Sequence, residues 1–421
     1  MTALAHEASQ AQPTGPGARS RRPLDPRRVA AFVAIALTAA AALSVILPGV
    51  RPTTPLMRNR TPPVPAVRAS EVGAIRQLGR VDGRDNGQST RYGDRSIWIF
   101  ADTVLRSPWG FLSNTGAATT DLDAADGITL TAADPFGSAG SAPAELLPLT
   151  AAERAFQTAH ASVTPCAARP DPYCGARFGF WPGPVIADPA RHRVLVFYNK
   201  LCRGSDKPKP CSGWLGKSLG TGVAAIDMTT HRITRLTASP GPALRSIEGA
   251  DPTMFFPALT GYAAAALVVG DDAYVYGNCG GRCHLARVPL NRIADRSRWR
   301  FYAGRDQAGA PQWSSDPIRS MPTIAAGAAG NTVLWSPGLR AWLNIFMRYG
   351  GKTIDAQVGG SPYGPWSAVF RLRATPTDAE TPNYAAFGHA EYAERDGLVQ
   401  YVSYYQGTTG DQRLVKVTFR P

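Results

Sequence analysis

Short apolar runs, separated by glycine, proline, asparagine and aspartate, recur along the chain after residue 70 and disfavour a helical fold. Five of them share one shape, in which aromatic and β-branched residues lead to a polar residue. They are SIWIFAD ending at Asp102, VLVFYN at Asn199, AYVYGN at Asn278, LNIFMR at Arg348 and VQYVSYYQ at Gln406. Five units of three or four strands in about 350 residues predict an all-β, five-bladed β-propeller. A β-sandwich and a β-helix are the alternatives.

The polar residues that end these runs are candidate site residues. If equivalent strands occupy equivalent places in each blade, then Asp102, Asn199, Asn278 and Arg348 lie together at one mouth of the central channel. The alternative is that asparagine and aspartate simply end strands, as they often do.

The distribution of charge argues against a nucleic-acid partner. Residues 1–68 contain nine arginines and two acidic residues, so they carry half of the net charge of +14. The remainder is only mildly basic and lacks a clustered basic stripe with a known nucleic-acid motif. Weak attraction to anionic lipids or wall polymers accounts for the excess charge.

The N-terminal region predicts export. The 19 residues from Val29 to Leu47 are apolar and uncharged, which matches the hydrocarbon thickness of a bilayer, and arginines precede them. A cleaved signal peptide is the alternative. We therefore expect a single N-terminal transmembrane helix, with the C-terminal domain extracytoplasmic. The expected organisation is a disordered basic cytoplasmic tail at 1–28, a signal anchor at 29–48, a Pro-rich linker at 49–70 and the propeller at 71–421.

Six cysteines agree with an oxidising compartment. Pairing neighbours in sequence predicts the disulfides Cys166–Cys174, Cys202–Cys211 and Cys279–Cys283, although fifteen connectivities are possible. The alternative is a zinc half-site formed by Cys279, Cys283 and His284, but no second half with ligand spacing follows. We therefore expect no metal and no cofactor.

Two aspartates are predicted to face each other across one hairpin. Residues 93–94 form a favourable two-residue turn, and in that register Asp85 opposes Asp102. Opposed like charges raise the pKa of one carboxyl, which places a proton donor beside a carboxylate, as glycosidic-bond hydrolysis requires. Two structural alternatives are that an arginine such as Arg84 neutralises the pair, or that Asp85 caps a tight turn.

The motifs around this pair resemble a known family. They are R-D-N-G (84–87), W-I-F-A-D-T (98–103) and the run F-L-S-N-T…D-x-D-A-A-D-G-I (111–128). They resemble a bacterial family of five-bladed propellers, first catalogued as a domain of unknown function, with endo-D-arabinanase members. The resemblance covers residues 75–421 and implies that Asp85 and Asp102 are the essential aspartates. The chain departs from the family at Ala101, which is usually glycine, and at Ala390, which is often proline.

Related furanosidase propellers tend to draw a third acid from another blade; the candidates here are Glu248, Asp251 and Glu391, and we assign the role to Glu248. His389, beside Glu391, could bind a sugar or a carboxylate. The full predicted substrate-binding set is Arg84, Asn199, Asp251, Asn278, Arg348, His389 and Glu391, with Trp109, Trp181, Phe255 and Phe256 as candidates for stacking on sugar rings.

Together these features predict a membrane-anchored, extracytoplasmic glycoside hydrolase that cleaves a furanose polymer, an endo-D-arabinanase acting on cell-wall arabinan. The Ala- and Arg-rich composition is consistent with a high-GC actinobacterium. The alternatives are a non-catalytic glycan-binding propeller and a scaffold for protein partners. The sequence contains no G-x-S-x-G, Walker or H-E-x-x-H motif that would indicate another chemistry.

Overall fold

The computed structural model describes residues 55–421 except 131–142, 163–165, 167–168, 206, 208–209, 214 and 378–380. All of these belong to one unit, Thr54–Pro421. The expected tail at 1–28 and anchor at 29–48 lie outside the described residues. Within the described ranges, none of the helices has the length and hydrophobicity needed to cross a lipid bilayer.

The first part of the fold contains two four-stranded blades. The opening strands are β1 (Ala66–Ala74) and β2 (Arg76–Gln77). Blade 1 contains β3 (Val81–Tyr92), β4 (Arg95–Leu105), β5 (Gly110–Leu112) and β6 (Thr115–Thr119), and β7 (Thr129–Leu130) pairs with β2. Helix α1 (Ala151–Ala159) follows. Blade 2 contains β8 (Arg177–Asp188), β9 (Arg193–Arg203), β10 (Lys217–Asp227) and β11 (Ile233–Arg235).

The second part contains three further blades. A hairpin of β12 (Leu244–Ser246) and β13 (Gly249–Asp251) is followed by β14 (Phe256–Pro257), which pairs with β10. Blade 3 contains β15 (Ala265–Val269), β16 (Asp272–Gly277), β17 (Arg282–Pro289), β18 (Arg300–Arg305), β19 (Pro311–Ser314) and β20 (Pro322–Ala325). Blade 4 contains β21 (Thr332–Ser336), β22 (Ala341–Phe346), β23 (Thr353–Gly359) and β24 (Phe370–Ala374). Blade 5 contains β25 (Tyr384–Gly388), β26 (Val399–Gln406) and β27 (Asp411–Arg420). Short 3₁₀ helices occur at Pro189–Arg191, Ala258–Thr260, Leu290–Arg292, Arg296–Arg298, Pro317–Arg319 and Ala390–Tyr392.

The blades close into a ring. The first strands β3, β8, β15, β21 and β25 each contact the next, and β25 contacts β3. The N-terminal strand β1 pairs antiparallel with the C-terminal strand β27, which joins the two ends of the chain in blade 5. The five-bladed propeller is therefore confirmed. Strand β1 begins at Ala66, inside the stretch expected to be linker, because β27 would otherwise present an unpaired edge.

The five runs that predicted the fold occupy one equivalent position. Each falls on the second strand of its blade, that is on β4, β9, β16, β22 and β26. These strands are buried on both faces, as the zero exposure of Ile97, Trp98, Ile99 and Phe100 in β4 shows. A strand covered on both faces reads as a continuous apolar run, which is why the pattern was visible in the sequence.

The apolar core lies between adjacent blades. Five clusters fill the five inter-blade spaces, and the cluster between blades 1 and 2, for example, joins Ile97 and Ile99 to Val194 and Val196. Each blade is therefore held by both neighbours, and the ring supports a central site made from several blades.

The three predicted disulfides are present: Cys166–Cys174, Cys202–Cys211 and Cys279–Cys283. The zinc alternative at Cys279 and Cys283 is wrong, because both sulfur atoms are engaged in a disulfide.

Candidate active site

A cavity of about 850 Å³ lies where the five blades converge. All five blades contribute to its wall. Its lining includes Asp85, Asn86, Ala101 and Asp102 from blade 1, Trp181, Pro182, Gly183 and Asn199 from blade 2, Ala263, Ala264, Gly277 and Asn278 from blade 3, residues 327–330 and Tyr349 from blade 4, and Tyr384 from blade 5.

The hairpin of blade 1 brings the two aspartates together. The predicted turn at 93–94 is present, and the predicted register holds between residues 88–92 and 95–99. A β-bulge then interrupts the pairing around Asn86, and the predicted register resumes beyond it. Asp85 lies in this bulge, next to Asp102. Bulges re-aim side chains, and here both carboxyl groups line the cavity.

Asp102 is held by charged and polar donors from blade 2. Arg203 donates from Nη1 to Oδ2 at 3.0 Å and from Nη2 to Oδ1 at 2.7 Å. The indole Nε1 of Trp181 also donates to Oδ1, at 2.9 Å. Such charge-assisted, two-pronged contacts are directional, so they fix the plane of the Asp102 carboxyl group.

Asp85 has a different environment. Its strongest partner is neutral, the hydroxyl of Tyr384 in blade 5, which donates to Oδ2 at 2.9 Å. Burial, reinforced by the negative charge of Asp102, raises the pKa of Asp85 from 3.8 to about 7. The Tyr384 hydroxyl, the Asp102 backbone amide and the charge of Arg203 oppose that rise without cancelling it. The pair therefore combines a carboxyl that holds a proton near neutral pH with an ion-paired carboxylate.

The walls contributed by blades 3 and 4 consist largely of small residues. A Cβ on Gly277 would collide with the backbone of Gly261, and one on Gly327 with that of Gly330. Close backbone packing therefore requires glycine at both of these positions in the wall. Large exposed side chains, Leu215, Leu259 and Tyr349, belong to the cavity lining as well.

Of the predicted mouth residues, the structure brings three together and leaves one outside. Asp102, Asn199 and Asn278 all line the cavity, whereas Arg348 is exposed and is not part of the lining. Arg84 is also outside it: the side chain is buried, with its guanidinium 4.7 Å from the ring centre of Phe100.

Glu248 and Asp251 lie outside the cavity, in a buried ion cluster. The ammonium of Lys200 contacts Glu248 and lies 2.6 Å from oxygens of both Glu153 and Asp251. Arg235 adds a second cation, 2.5 Å from Glu153. The three carboxylates lie close enough to hold a metal ion, but Lys200 already supplies the positive charge between them. The cluster ties helix α1 and strand β13 to blade 2.

His389 and Glu391 also lie outside the cavity lining. His389 is fully buried between the hydroxyls of Ser89 (2.7 Å) and Ser403 (2.8 Å), and burial lowers the pKa of this histidine to about 3. Glu391 accepts a hydrogen bond of 2.6 Å from Ser96. Ser96 is six residues from Asp102 along β4, or about 20 Å, so these groups belong to the opposite end of the blade.

Of the four aromatic residues predicted to stack on sugar rings, one lines the cavity and three lie outside it. Trp181 lines the cavity. Phe255 and Phe256 are buried in the apolar cluster between blades 2 and 3, and Trp109 is exposed away from the cavity.

Arg203, Tyr384 and Tyr349 are site residues that sequence reasoning missed. Arg203 is the last residue of β9, the strand that also carries Asn199. Its position at the end of one of the five apolar runs was the sequence signal that could have identified it as a site residue. Tyr384 belongs to the first strand of blade 5, nearly 300 residues from Asp85, and no local pattern connects the two.

The fold and the site together define a five-bladed propeller with an unequal pair of aspartates in its central cavity. No family model and no curated protein matches the chain. Among solved structures it is similar to a proposed hydrolase from Bacteroides ovatus ATCC 8483, with 13% identity, a TM-score of 0.51, and coverage of 89% of this chain and 96% of that chain. It is also similar to the GH43_1 enzyme from Xanthomonas citri complexed with xylotriose, with 12% identity, a TM-score of 0.41, and coverage of 83% of this chain and 89% of that chain. A third similar structure is that of an N-acetylgalactosamine deacetylase from F. plautii, with 10% identity, a TM-score of 0.41, and coverage of 87% of this chain and 94% of that chain. GH43 enzymes recur among these neighbours, and at such identities the likeness concerns the fold alone.

Proposed function

We propose that this protein is a glycoside hydrolase whose catalytic residues are Asp85 and Asp102. The observation that carries the proposal is the inequality of the two carboxyls in one cavity. Asp85 is buried with a pKa of about 7, and Asp102 is paired with Arg203. Glycosidic-bond hydrolysis needs one proton donor and one carboxylate, placed on either side of the scissile bond.

The roles follow from these environments. Asp85, with a pKa of about 7, retains its proton up to near-neutral pH and donates it to the leaving glycosidic oxygen as the bond breaks. Asp102 keeps its negative charge and acts at the anomeric carbon, either directly or by activating a water molecule. Asn199 from blade 2 and Asn278 from blade 3 supply amide groups that can hydrogen-bond sugar hydroxyls in the cavity.

The substrate that we propose is a furanose polymer, cell-wall D-arabinan, cut within the chain. Support comes from the three motifs that resemble the endo-D-arabinanase family, because they meet around the pair. Asp85 belongs to the first motif and Asp102 to the second. In the third, Phe111 lies beneath the guanidinium of Arg203, and the Ser113 hydroxyl accepts a hydrogen bond from it.

We propose further that the propeller is held outside the cytoplasm by an anchor at residues 29–48. The apolar run from Val29 to Leu47 and the three disulfides support this location. The arabinan partner would then be in the cell wall, next to the membrane surface.

The test is a digest of purified arabinogalactan by the oxidised protein, with xylan and galactan as comparison substrates and chromatography of the products. Asp85→Asn and Asp102→Asn are the test variants. Asp94→Asn is the matched control, because Asp94 is exposed at the turn of the same hairpin. We expect oligoarabinosides from the wild type and from the control, and none from the two test variants. Equal cleavage by all four proteins would contradict the assignment.

A non-catalytic glycan-binding propeller is the second candidate. It is favoured by one observation: among the described lining residues, Asp85 and Asp102 are the only acids, since Glu248 is engaged by Lys200 elsewhere. Retention of arabinogalactan by a folded wild-type protein that releases no product would select this function over hydrolysis.

A further inference from the structure

Arg203, the last residue of β9, forms a two-bond ion pair with the Asp102 carboxyl group. Besides its two bonds to Asp102, its Nη2 donates to the Ser113 hydroxyl at 2.9 Å. Its guanidinium carbon lies 5.0 Å from the ring centre of Phe111 and 5.7 Å from that of Trp181. The side chain is only 7% exposed. A planar guanidinium that is stacked and hydrogen-bonded in this way cannot rotate without breaking several contacts.

The backbone that carries Arg203 is also fixed. Its neighbour Cys202 is joined to Cys211, and the Gly204 amide donates to the Gly213 carbonyl at 3.0 Å. The Ser205 hydroxyl donates to the carbonyl of Cys174, at 2.8 Å, and Cys174 belongs to a second disulfide. The position of Arg203 is therefore fixed both by the contacts of its guanidinium and by the contacts of its backbone.

The two aspartates face different sets of groups. Asp102 faces Arg203, the Trp181 indole and Asp85. Asp85 faces Asp102, the phenols of Tyr384 and Tyr405 and, at longer range, the charge of Arg203. Arg203 is thus a cation in direct contact with the pair, and its ion pair is with Asp102. Two neighbouring carboxyl groups do not ionise together at low cost, so a cation bonded to one of them favours a proton on the other.

We infer that Arg203 is a positioning residue that holds Asp102 as an oriented carboxylate and so leaves the proton of the pair on Asp85. The expected effect of this role on turnover rests on the proposed hydrolase function. The expected effect on the protonation of Asp85 does not depend on that function.

The test uses Arg203→Gln, which removes the charge, and Arg203→Lys, which keeps the charge but loses the two-pronged contact. Arg193→Gln is the matched control. Arg193 begins the same strand and pairs with the buried Asp188 at 2.8 Å, but it lies at the opposite end of β9. Two readouts are needed: the pH profile of kcat with arabinogalactan, and carboxyl titration of ¹³C-labelled aspartate by NMR.

Arg203 is one of the groups that lower the pKa of Asp85, so Arg203→Gln should move the titration midpoint of Asp85 to higher pH. The alkaline limb of the rate profile should move with it, and kcat should fall about 10- to 100-fold with little change in KM. Arg203→Lys should leave the Asp85 midpoint close to that of the wild type and still lower kcat. Arg193→Gln should change neither.

The inference is overturned if Arg203→Gln lowers kcat equally at every pH with unchanged carboxyl titrations, which would indicate a merely structural role. It is also overturned if Arg203→Lys is as active as the wild type, because the two-pronged geometry would then be unnecessary. If Arg203→Gln does not fold, the Arg203→Lys comparison decides. If the wild type cleaves no glycan but the titrations shift as expected, the hydrolase function fails and the positioning role stands.

Discussion

Asp85 should cost the folded protein stability at neutral and alkaline pH. The folded state raises the pKa of Asp85 from 3.8 to about 7. Each unit corresponds to about 1.4 kcal/mol, so the ionised form of Asp85 is disfavoured by about 4 kcal/mol relative to the unfolded chain. Asparagine has nearly the same shape, can accept the hydrogen bond from Tyr384 and carries no charge. Asp85→Asn should therefore stabilise the protein while abolishing hydrolysis.

The gain should depend on pH in a defined way. Below pH 3.8, Asp85 is protonated in both states, so the variant and the wild type should be about equally stable. Between 3.8 and about 7 the unfolded chain releases this proton and the folded protein retains it, so the wild type loses stability as the pH rises. Above about 7 the difference should stay constant, at about 4 kcal/mol.

Urea unfolding of the oxidised protein at pH 4 and pH 8, followed by tryptophan fluorescence, measures this difference. Asp94→Asn is again the control, because the side chain of Asp94 is 76% exposed and its charge should matter little at either pH. A free energy of unfolding for Asp85→Asn that runs parallel to that of the wild type from pH 4 to pH 8 would refute the reasoning.

Three further changes have definite expected outcomes. Tyr384→Phe removes a donor that lowers the pKa of Asp85, so the alkaline limb of the rate profile should move up by about 0.7 unit; a downward shift would contradict this. Tyr349 lines the cavity and is 73% exposed, so Tyr349→Ala should raise KM about 3- to 10-fold and leave kcat unchanged, as initial-rate kinetics would show. Replacing both Cys202 and Cys211 by serine opens a loop with a sequence separation of 9. The double replacement should lower the free energy of unfolding, measured with urea, by about 2–3 kcal/mol, and it should lower kcat. A fully active double variant would show that the Cys202–Cys211 disulfide is not needed to hold Arg203 in place.

Several features of this protein could be predicted because their determinants are local. A strand covered on both faces must be apolar throughout, so the second strand of each blade was recognisable and the number of blades followed from it. The Asp85–Asp102 hairpin was predictable because a two-residue turn sets the register of the residues beside it. The bulge at Asn86 altered the pairing between the two ends of the hairpin without separating the aspartates.

Other features could not be predicted because their partners are distant in sequence. Glu248 was predicted as a third acid, and only the fold shows that it contacts Lys200, 48 residues away in sequence. His389 and Glu391 follow β25 in blade 5, and only the packing of blade 5 on blade 1 shows that they contact the far end of the first hairpin. The docking of β1 on β27 was hidden for the same reason, since the pairing joins the two ends of the fold.

The sequence by itself determined the all-β architecture, the three disulfides and the pair of aspartates, because each depends on residues within one strand, one loop or one hairpin. The tertiary structure decided what those aspartates can do. Closure of the ring brings Arg203 and Trp181 from blade 2 to Asp102, and Tyr384 from blade 5 to Asp85. Burial and the neighbouring charge of Asp102, which the assembled blades supply, raise the pKa of Asp85, while Arg203 forms its ion pair with Asp102.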